Sequence, residues 1–266
     1  MEPLIKSGVL NWLVAEDQQQ DLIRHGSDEM ERRILPFPPD VGTGWGEYLR
    51  LTNGMEIARG GCYFTPDMVG CRVPIYSACG EQSEPMFTFA VAKTGMCSIT
   101  DSCLDASFRI DKGFLLSRYT DRADYQVTSE GGATLELAIL FISISMMETM
   151  LGAELAETIA EALQLTVLPS FSIRSLPYNV LSLLCAYPQE HYVGKMRKLH
   201  AQSKTMEFIC CLSDYVTSTG TCQSDIKAAG KKKLIELLHE ELLHLDGRIP
   251  TLDELARQFD TSLPAY

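Results

Sequence analysis

Histidine placement decides whether this chain could carry a metal-dependent activity. A catalytic zinc or iron site needs two or three imidazoles and a carboxylate that converge on one ion. The 266-residue sequence has five histidines, which are His25, His191, His200, His239 and His244. None lies between residues 26 and 190, although that stretch contains every strand predicted below. We therefore expect no metal site in the strand region, no cofactor and no enzymatic activity.

Other catalytic patterns are equally weak. Residues 42 to 46, GTGWG, have two glycines of a dinucleotide-binding fingerprint, but Glu47 stands where the third glycine belongs. The sequence has no G-x-S-x-G elbow and no phosphate-binding loop with its lysine. Nine cysteines include no C-x-x-C pair, so neither a zinc finger nor a thioredoxin-like motif is indicated. We expect most of these cysteines to be small buried hydrophobic residues, with thiol redox sensing as the alternative.

Aromatic and arginine side chains indicate binding rather than catalysis. A small-molecule pocket needs an apolar lining and a few polar anchors. If inward positions alternate along the strands, the predicted ligand-binding residues are Trp45, Arg50, Phe64, Phe87, Phe89, Phe108, Arg118 and Tyr119. Phe114 is a further lining candidate, and Arg109 joins the other arginines as an anchor for an anionic ligand. The alternative is that the aromatic rings form the core and the arginines point outward.

The elements that would position these residues are mostly short strands. Segments rich in β-branched and aromatic residues alternate with glycine-containing turns such as Asn53-Gly54 and Lys112-Gly113. The predicted strands are 47–51, 55–59, 71–75, 86–92, 97–100, 107–110, 114–119, 125–128 and 135–144. Many short strands at near-regular spacing predict an antiparallel barrel or double sheet. Residues 1 to about 36 are polar and predicted to be irregular.

After residue 145 the periodicity becomes helical. We predict helices over 146–163, 178–187 and 192–218. One stripe of the last helix is a candidate interface with a second copy of the chain: Val193, Met196, Leu199, Ser203, Met206 and Cys210. The same stripe could instead pack on the protein's own strands.

The final segment, from Asp225 to Tyr266, predicts a long amphipathic helix, a Gly/Pro joint and a short helix. Thr251 and Glu254 form a capping box at the start of the short helix. The pattern PTLDELARQF resembles the start of the DNA-binding domain of AraC-type transcription regulators. In that family this short helix begins a helix-turn-helix, to which Thr251, Leu255 and Ala256 would belong. The resemblance implies a regulator whose sequence ends before the recognition helix.

The resemblance also implies a fold and a function for the whole chain. The fold would be α+β, with a cupin-like antiparallel β-barrel over 37–145 that binds an effector. A helical linker and dimerisation region over 146–222 and an incomplete DNA-binding start over 223–266 would follow the barrel. The segments PPDVGTGWGEYLRLTNGMEI, MFTFAVAKTG and SMMETMLG are most similar to the branch that senses ferric siderophores, which makes a ferric siderophore one candidate effector. A ligand-free interaction module that acts through dimerisation or a protein partner is the alternative function.

Charge and hydropathy are consistent with a cytoplasmic regulator. The net charge is −12, and residues 1 to 188 hold 13 Lys and Arg against 24 Asp and Glu. Such an acidic region repels phosphate backbones, so any DNA contact is expected at or beyond the C-terminus. No run of about 18 apolar residues predicts a membrane helix, and the N-terminus lacks the pattern of a signal peptide.

Overall fold

A computed structural model describes residues 5–12, 31–35, 37–52, 54–132, 134–186 and 194–220, with side chains described in 37–51, 54–132, 134–186 and 194–218. The chain divides into two compact units, Met1–Thr217 and Ser218–Tyr266. Val193 and the predicted helix-turn-helix residues Thr251, Leu255 and Ala256 lie outside the described residues. The structure below is therefore that of the first unit.

Ten strands and four helices form this unit. The strands are β1 (Ile5–Trp12), β2 (Glu31–Leu35), β3 (Gly42–Thr52), β4 (Met55–Phe64), β5 (Arg72–Thr94), β6 (Met96–Asp101), β7 (Ala106–Asp111), β8 (Phe114–Glu130), β9 (Leu135–Ser143) and β10 (Ser170–Ser175). The helices are α1 (Ile144–Leu151), α2 (Ala153–Ala162), α3 (Tyr178–Cys185) and α4 (Gly194–Gly220), with a short 3₁₀ turn at Pro66–Met68.

All strand pairs are antiparallel, in the order β2-β3-β4-β9-β5-β8-β6-β7, with β1 added to β5 and β10 added to β8. The strands β5 and β8 are the longest and pair with each other in three stretches. Register shifts between Pro74 and Tyr76 and between Glu81 and Met86 separate the stretches, and the second shift is the larger. Such an irregularity bends a strand. One inner cluster of buried side chains, including Tyr76, Ala90 and Tyr125, combines residues from both sides of the second shift, so the sheet folds over into two facing layers.

The structure therefore confirms antiparallel strands followed by helices, and it contradicts the closed, cupin-like barrel expected over 37–145. Of the two arrangements that the strand pattern left open, the double sheet is the one that fits. Among the described strands, β2 and β7 lie at opposite ends of the pairing order and do not pair. The predicted strands 71–75 and 86–92 belong to one strand, β5, and 114–119 and 125–128 belong to β8. The residues between them were not assigned to a strand, but they continue the two strands through the bend. Strands β1 and β2 lie in the stretch predicted to be irregular, and β10 was not predicted.

Two hydrophobic cores occupy opposite faces of the strands. The inner core lies between the two layers and includes Ile99, Leu116, Val127 and Ile139. The helix-facing core joins the other face of β3, β4, β5, β8 and β9 to all four helices, and includes Phe89 and Phe208. Because side chains alternate along a strand, β4, β5, β8 and β9 contribute to both cores.

The helices differ from prediction mainly at Gly152. We predicted one helix over 146–163, whereas α1 ends and α2 begins at Gly152, whose φ of 81° is readily adopted only by glycine. The side chain of Ser143 caps α1 by accepting a hydrogen bond from the backbone N–H of Met146 at 3.2 Å. The last predicted helix, 192–218, corresponds closely to α4.

We predict that Phe208→Ala lowers the free energy of unfolding by about 3–5 kcal/mol, because it leaves a cavity in the helix-facing core. The Phe208 side chain is fully buried, and its ring meets that of Phe89 edge-on at 6.0 Å between centroids. Urea unfolding monitored by circular dichroism measures the change. Asp214→Ala, at an exposed position of the same helix, is the control and should change stability by less than about 0.5 kcal/mol. Equal effects of the two substitutions would contradict the assigned orientation of α4.

Candidate functional site in the space between the sheets

Four of the predicted ligand-binding residues face the space between the two layers. Phe64 and Phe108 pack against the inner core. Arg118 alternates along β8 with helix-facing neighbours and lies opposite Thr88 of β5. Arg50 lies opposite Glu56, whose own neighbour Phe141 packs against the inner core.

The other four predicted residues face away from this space. Phe87 and Phe89 belong to the helix-facing core, and Tyr119 packs against it with its ring stacked on that of Phe87 at 4.6 Å between centroids. Trp45 lies opposite Gly61 on β4, and a side chain at Gly61 would collide with the indole nitrogen at 2.5 Å. Sequence alternation shows that these residues share a face with one another, but it does not show which face of the sheet is inner. Ligand contact by these four side chains stays a prediction.

The three arginines proposed as anion anchors are already paired with carboxylates. Arg109 lies on the exposed surface and pairs with Asp111, Nε to Oδ2, at 3.2 Å. The Arg50 Nε atom donates to Glu56 Oε1 at 3.0 Å, and Tyr48 also donates to this buried carboxylate. Arg118 pairs with Asp101 in the interior, where the two side chains are 3% and 0% exposed. The positive charge expected for an anion site is thus neutralised at each position.

Six side chains form a continuous row on the inner face. Cross-strand pairing places them in the order Arg50, Glu56, Phe141, Thr88, Arg118 and Phe171 across β3, β4, β9, β5, β8 and β10. At about 4.8 Å between neighbouring strands, the ion pair at Glu56 lies roughly 14 Å from Arg118 along the sheet. Two separate polar positions therefore flank Phe141 and Thr88.

Arg118 is held by an acidic and an aromatic neighbour. The Asp101 carboxylate accepts hydrogen bonds from the backbone N–H groups of Cys103 at 3.0 Å and Leu104 at 3.2 Å, which fix its position. The Arg118 guanidinium lies over the Tyr125 ring, 4.8 Å from its centroid, at a distance suited to a cation–π interaction. The Tyr125 ring in turn meets Tyr76 edge-on at 6.1 Å.

Both tyrosines are neutral at physiological pH. Burial raises the pKa of Tyr76 well above its usual range, and the neighbouring Tyr125 raises it further. Burial also raises the pKa of Tyr125, against the opposing effect of the Arg118 charge. The Arg118 surroundings therefore contain one positive and one negative group, and two neutral phenols.

Besides the two atoms of the Arg118–Asp101 ion pair, three buried polar atoms at this position have no hydrogen-bond partner within the part of the chain that the structure describes. They are Nε of Arg118, Oγ1 of Thr88 and Oγ1 of Thr120. The three residues are between 0% and 3% exposed. The Arg118–Asp101 ion pair lacks hydrogen-bond geometry and does not satisfy Nε. Because buried polar groups in folded proteins are almost always hydrogen-bonded, these atoms mark a place for a further partner. Thr88 and Thr120 were not singled out from the sequence, where threonine in a strand is an ordinary residue.

A second group of buried charges lies on the opposite face of β3 and β4. Glu47 and Arg59 are cross-strand neighbours there. The Glu47 Oε1 atom accepts from Nη2 of Arg197 on α4 at 3.2 Å, and Arg59 donates to the backbone oxygen of Leu184 on α3 at 3.4 Å. These contacts connect the sheet to two helices. The adjacent residue of β3, Tyr48, faces the inner side and donates a hydrogen bond to Glu56.

An open pocket of about 420 Å³ lies at the turns that follow β4, β5 and β8. Its lining consists of Val69, Gly95, Met96, Glu130, Gly131 and Gly132. A single carboxylate among glycines and apolar groups gives this pocket little ability to orient a ligand.

Cysteine chemistry is not favoured at the inner site. Burial raises the pKa of Cys62 and of Cys97 to about 12, so both thiols stay protonated. Cys71, Cys79 and Cys210 are exposed. Within the described ranges, no group of three or more His, Cys, Asp or Glu side chains is placed to hold a metal ion.

Comparison with known proteins finds structural similarity only. No known protein family matches the sequence, and no curated protein does. The chain is similar to the AraC-like transcriptional activator CuxR, with 12% identity and a TM-score of 0.38, over 96% of this chain and 85% of that one. It is also similar to ToxT from Vibrio cholerae bound to an unsaturated fatty acid, with 9% identity and a TM-score of 0.32, over 90% of this chain and 72% of ToxT.

A third similar structure is the 7S globulin of Momordica charantia, with 9% identity and a TM-score of 0.28, over 56% of this chain and 38% of that one. At such low identities and TM-scores, the similarity assigns neither a family nor a ligand. None of the helices in the described part is both long and apolar enough to span a bilayer.

We predict that Asp101→Ala lowers the free energy of unfolding by about 3–5 kcal/mol, because it leaves the Arg118 charge buried without its partner. Asp111→Ala removes the acidic half of the exposed pair with Arg109 and should cost less than about 1 kcal/mol. Urea unfolding of the two variants beside the parent protein measures the difference. If Asp101→Ala were no more destabilising than Asp111→Ala, the inner ion pair would not be a structural constraint.

Proposed function

We propose that this chain is the effector-sensing and dimerisation part of an AraC-type transcription regulator. The observation that carries the proposal is the group of buried, unpartnered polar atoms at Arg118, Thr88 and Thr120. A purely structural core would gain stability by replacing these groups with apolar ones. The AraC-like pattern of the C-terminal sequence supports the regulatory part of the proposal, and DNA would be bound through a helix-turn-helix that includes Thr251, Leu255 and Ala256.

The proposed effector site lies on the inner face, between the polar positions at Glu56 and Arg118. Phe141 and Thr88 lie between these two positions in the row of cross-strand neighbours. Phe64 and Phe108 face other parts of the same inner side. A ferric siderophore, as the sequence resemblance implies, is one effector to test. The residues named for this site all lie on strands, so an effector bound there would alter the spacing of those strands.

Helix α4 offers a surface for the second copy. Met196 and Leu199 are 56% and 58% exposed, and Ser203 and Cys210 are exposed, while Met206 packs partly against the helix-facing core. Their spacing alternates between three and four residues, which is the seam of a two-helix coiled coil. The opposite side of α4, with Phe208 and Leu212, is buried against the sheet. The exposure of Met196, Leu199, Ser203 and Cys210 supports this part of the proposal.

Native mass spectrometry of the chain, purified without added ligand, tests the sensor function. We expect a dimer that carries a small molecule, or that gains one from a panel that includes a gallium-loaded siderophore. The same compound should change DNA binding by the regulator that contains this segment and a complete helix-turn-helix, because it can act only by preferring one arrangement of the protein. The proposal would be contradicted if saturating concentrations of every class of compound tested left DNA binding unchanged.

Leu199→Glu should convert the dimer to a monomer, because it places a charge in the centre of the proposed seam. The expected loss of dimer affinity is at least about tenfold, since desolvating one unpaired charge costs more than 1.4 kcal/mol. Sedimentation velocity over a concentration series measures the dissociation constant. Tyr178→Glu on α3, which is 76% exposed, is the matched control and should leave the dimer unchanged. A parent protein that is monomeric at every concentration would remove the basis for this interface.

The exposed stripe also favours the second candidate function, a ligand-free interaction module. Such a protein would regulate by binding a protein partner or by dimerising without any effector. The two functions differ in native mass spectra, because a module would gain mass only with a protein partner. They also differ at Arg118, because a ligand-free module does not need buried hydrogen-bond donors that have no partner.

A further inference from the structure

We propose that the inner site at Arg118 binds a neutral oxygen group of the effector, such as an amide carbonyl or a hydroxyl, and discriminates against carboxylates and phosphates. The inference rests on the proposed sensor function and specifies the chemical class of its ligand. It reverses the sequence-based expectation that Arg118 anchors an anion.

The three unpartnered groups are close enough to contact one functional group. Thr88 is the direct cross-strand neighbour of Arg118, which corresponds to about 5 Å between Cα atoms. Thr120 lies two residues along β8 on the same side of the strand, at roughly 7 Å. Both threonines and the arginine alternate with helix-facing residues, so all three point into the space between the layers. One or two oxygen atoms of a ligand could contact all of them.

Their chemistry requires an acceptor. The guanidinium nitrogen of Arg118 can only donate, while each threonine hydroxyl can donate or accept. A carbonyl oxygen can take two donated hydrogen bonds, and a hydroxyl can accept from Arg118 while donating to a threonine. An ammonium group fails at this position, because it offers no acceptor to Nε.

Local charge decides between a neutral and an anionic acceptor. Asp101 already neutralises Arg118 and is held by two backbone N–H groups, so its charge cannot easily move away. A carboxylate or phosphate would therefore add an uncompensated negative charge to a site that is almost closed to solvent. Tyr76 and Tyr125 are neutral and supply no balancing charge. The Arg50 cation pairs with Glu56 at the other end of the row.

The next row of the inner face is apolar and contains small side chains. It consists of Ala58, Ile139, Ala90, Leu116 and Ile173, which are mutual cross-strand neighbours. Its β3 member is Tyr48, and the two alanines lie on β4 and β5 with β9 between them. The ligand is therefore expected to combine a neutral oxygen group with a compact apolar part. Beside Arg118, the stacked rings of Phe108 and Phe171, 4.8 Å apart, close the edge between the two layers.

Acetamide and acetate form a matched pair of probes, because they have nearly the same shape and differ in charge. We expect acetamide at pH 7 to shift the NMR methyl signals of Thr88, Ala90 and Leu116 saturably. Acetate should bind at least about tenfold more weakly. Thr88→Val and Thr120→Val should each weaken acetamide binding by about tenfold, the effect of one lost hydrogen bond to a charged or buried partner.

The same variants test whether the hydroxyl groups are unpartnered in the free protein. Thr88→Val and Thr120→Val should leave the melting temperature unchanged or raise it, because each removes a buried polar group that has no partner. Thr205→Val is the control: this threonine is equally buried, and its hydroxyl donates to the Ala201 backbone oxygen at 2.9 Å. It should therefore lower the melting temperature. A decrease of the same size in Thr88→Val would mean that ordered water already satisfies the site, and would overturn the proposal.

The remaining outcomes separate this proposal from the sensor function. Acetate binding as tightly as acetamide would overturn the neutral class and leave the sensor function standing. Saturable binding of neither probe would overturn the site at Arg118. The sensor function itself fails only on the mass-spectrometric and DNA-binding results described above.

Discussion

The shared bend of β5 and β8 is the constraint on which the rest of this structure depends. Both strands continue through the register shift between Glu81 and Met86, so each belongs to both layers. The two layers are therefore joined by continuous backbone rather than by packing alone. Their inner faces must approach each other near the bend, and this is where Thr88, Thr120 and Arg118 lie. The polar site exists because two long strands fold over together and enclose it.

The same strands also determine how the inner site relates to the helices. Side chains alternate along a strand, so residues on the two faces are consecutive in sequence. Thr88 lies between Phe87 and Phe89 of the helix-facing core, and Arg118 precedes Tyr119, which packs on that core. Only the thickness of one strand separates the proposed ligand contacts from the surface on which α4 rests. A change in strand position at the inner site would therefore displace the side chains on which the helices pack.

Sequence patterns predicted the antiparallel double sheet, the helical region after residue 145 and the position of α4, because these depend on local periodicity and turn residues. They did not predict the bend, since the polar residues Glu81 to Glu84 look the same in a turn and in a strand that crosses a bulge. The eight ligand-binding residues predicted from the sequence lie on two different faces of the sheet. Phe87 and Arg118 were grouped by residue type, but the face of each depends on register. Thr88, Thr120 and the Asp101 partner of Arg118 become visible only when distant strands are placed side by side.

The buried charges on the helix side offer a physical route from the sheet to the dimer stripe. Glu47 of β3 contacts Arg197, which follows Met196 of the stripe directly on α4. Tyr48, the next residue of β3, donates to Glu56 at the far end of the inner row. A shift of β3 relative to β4 would thus alter an inner contact and a helix contact together. The tight packing of Phe89 against Phe208 limits how far α4 can move as a whole. In the proposed dimer, a small rotation of α4 about that contact would change the angle at which two copies meet without separating the helix from its own sheet.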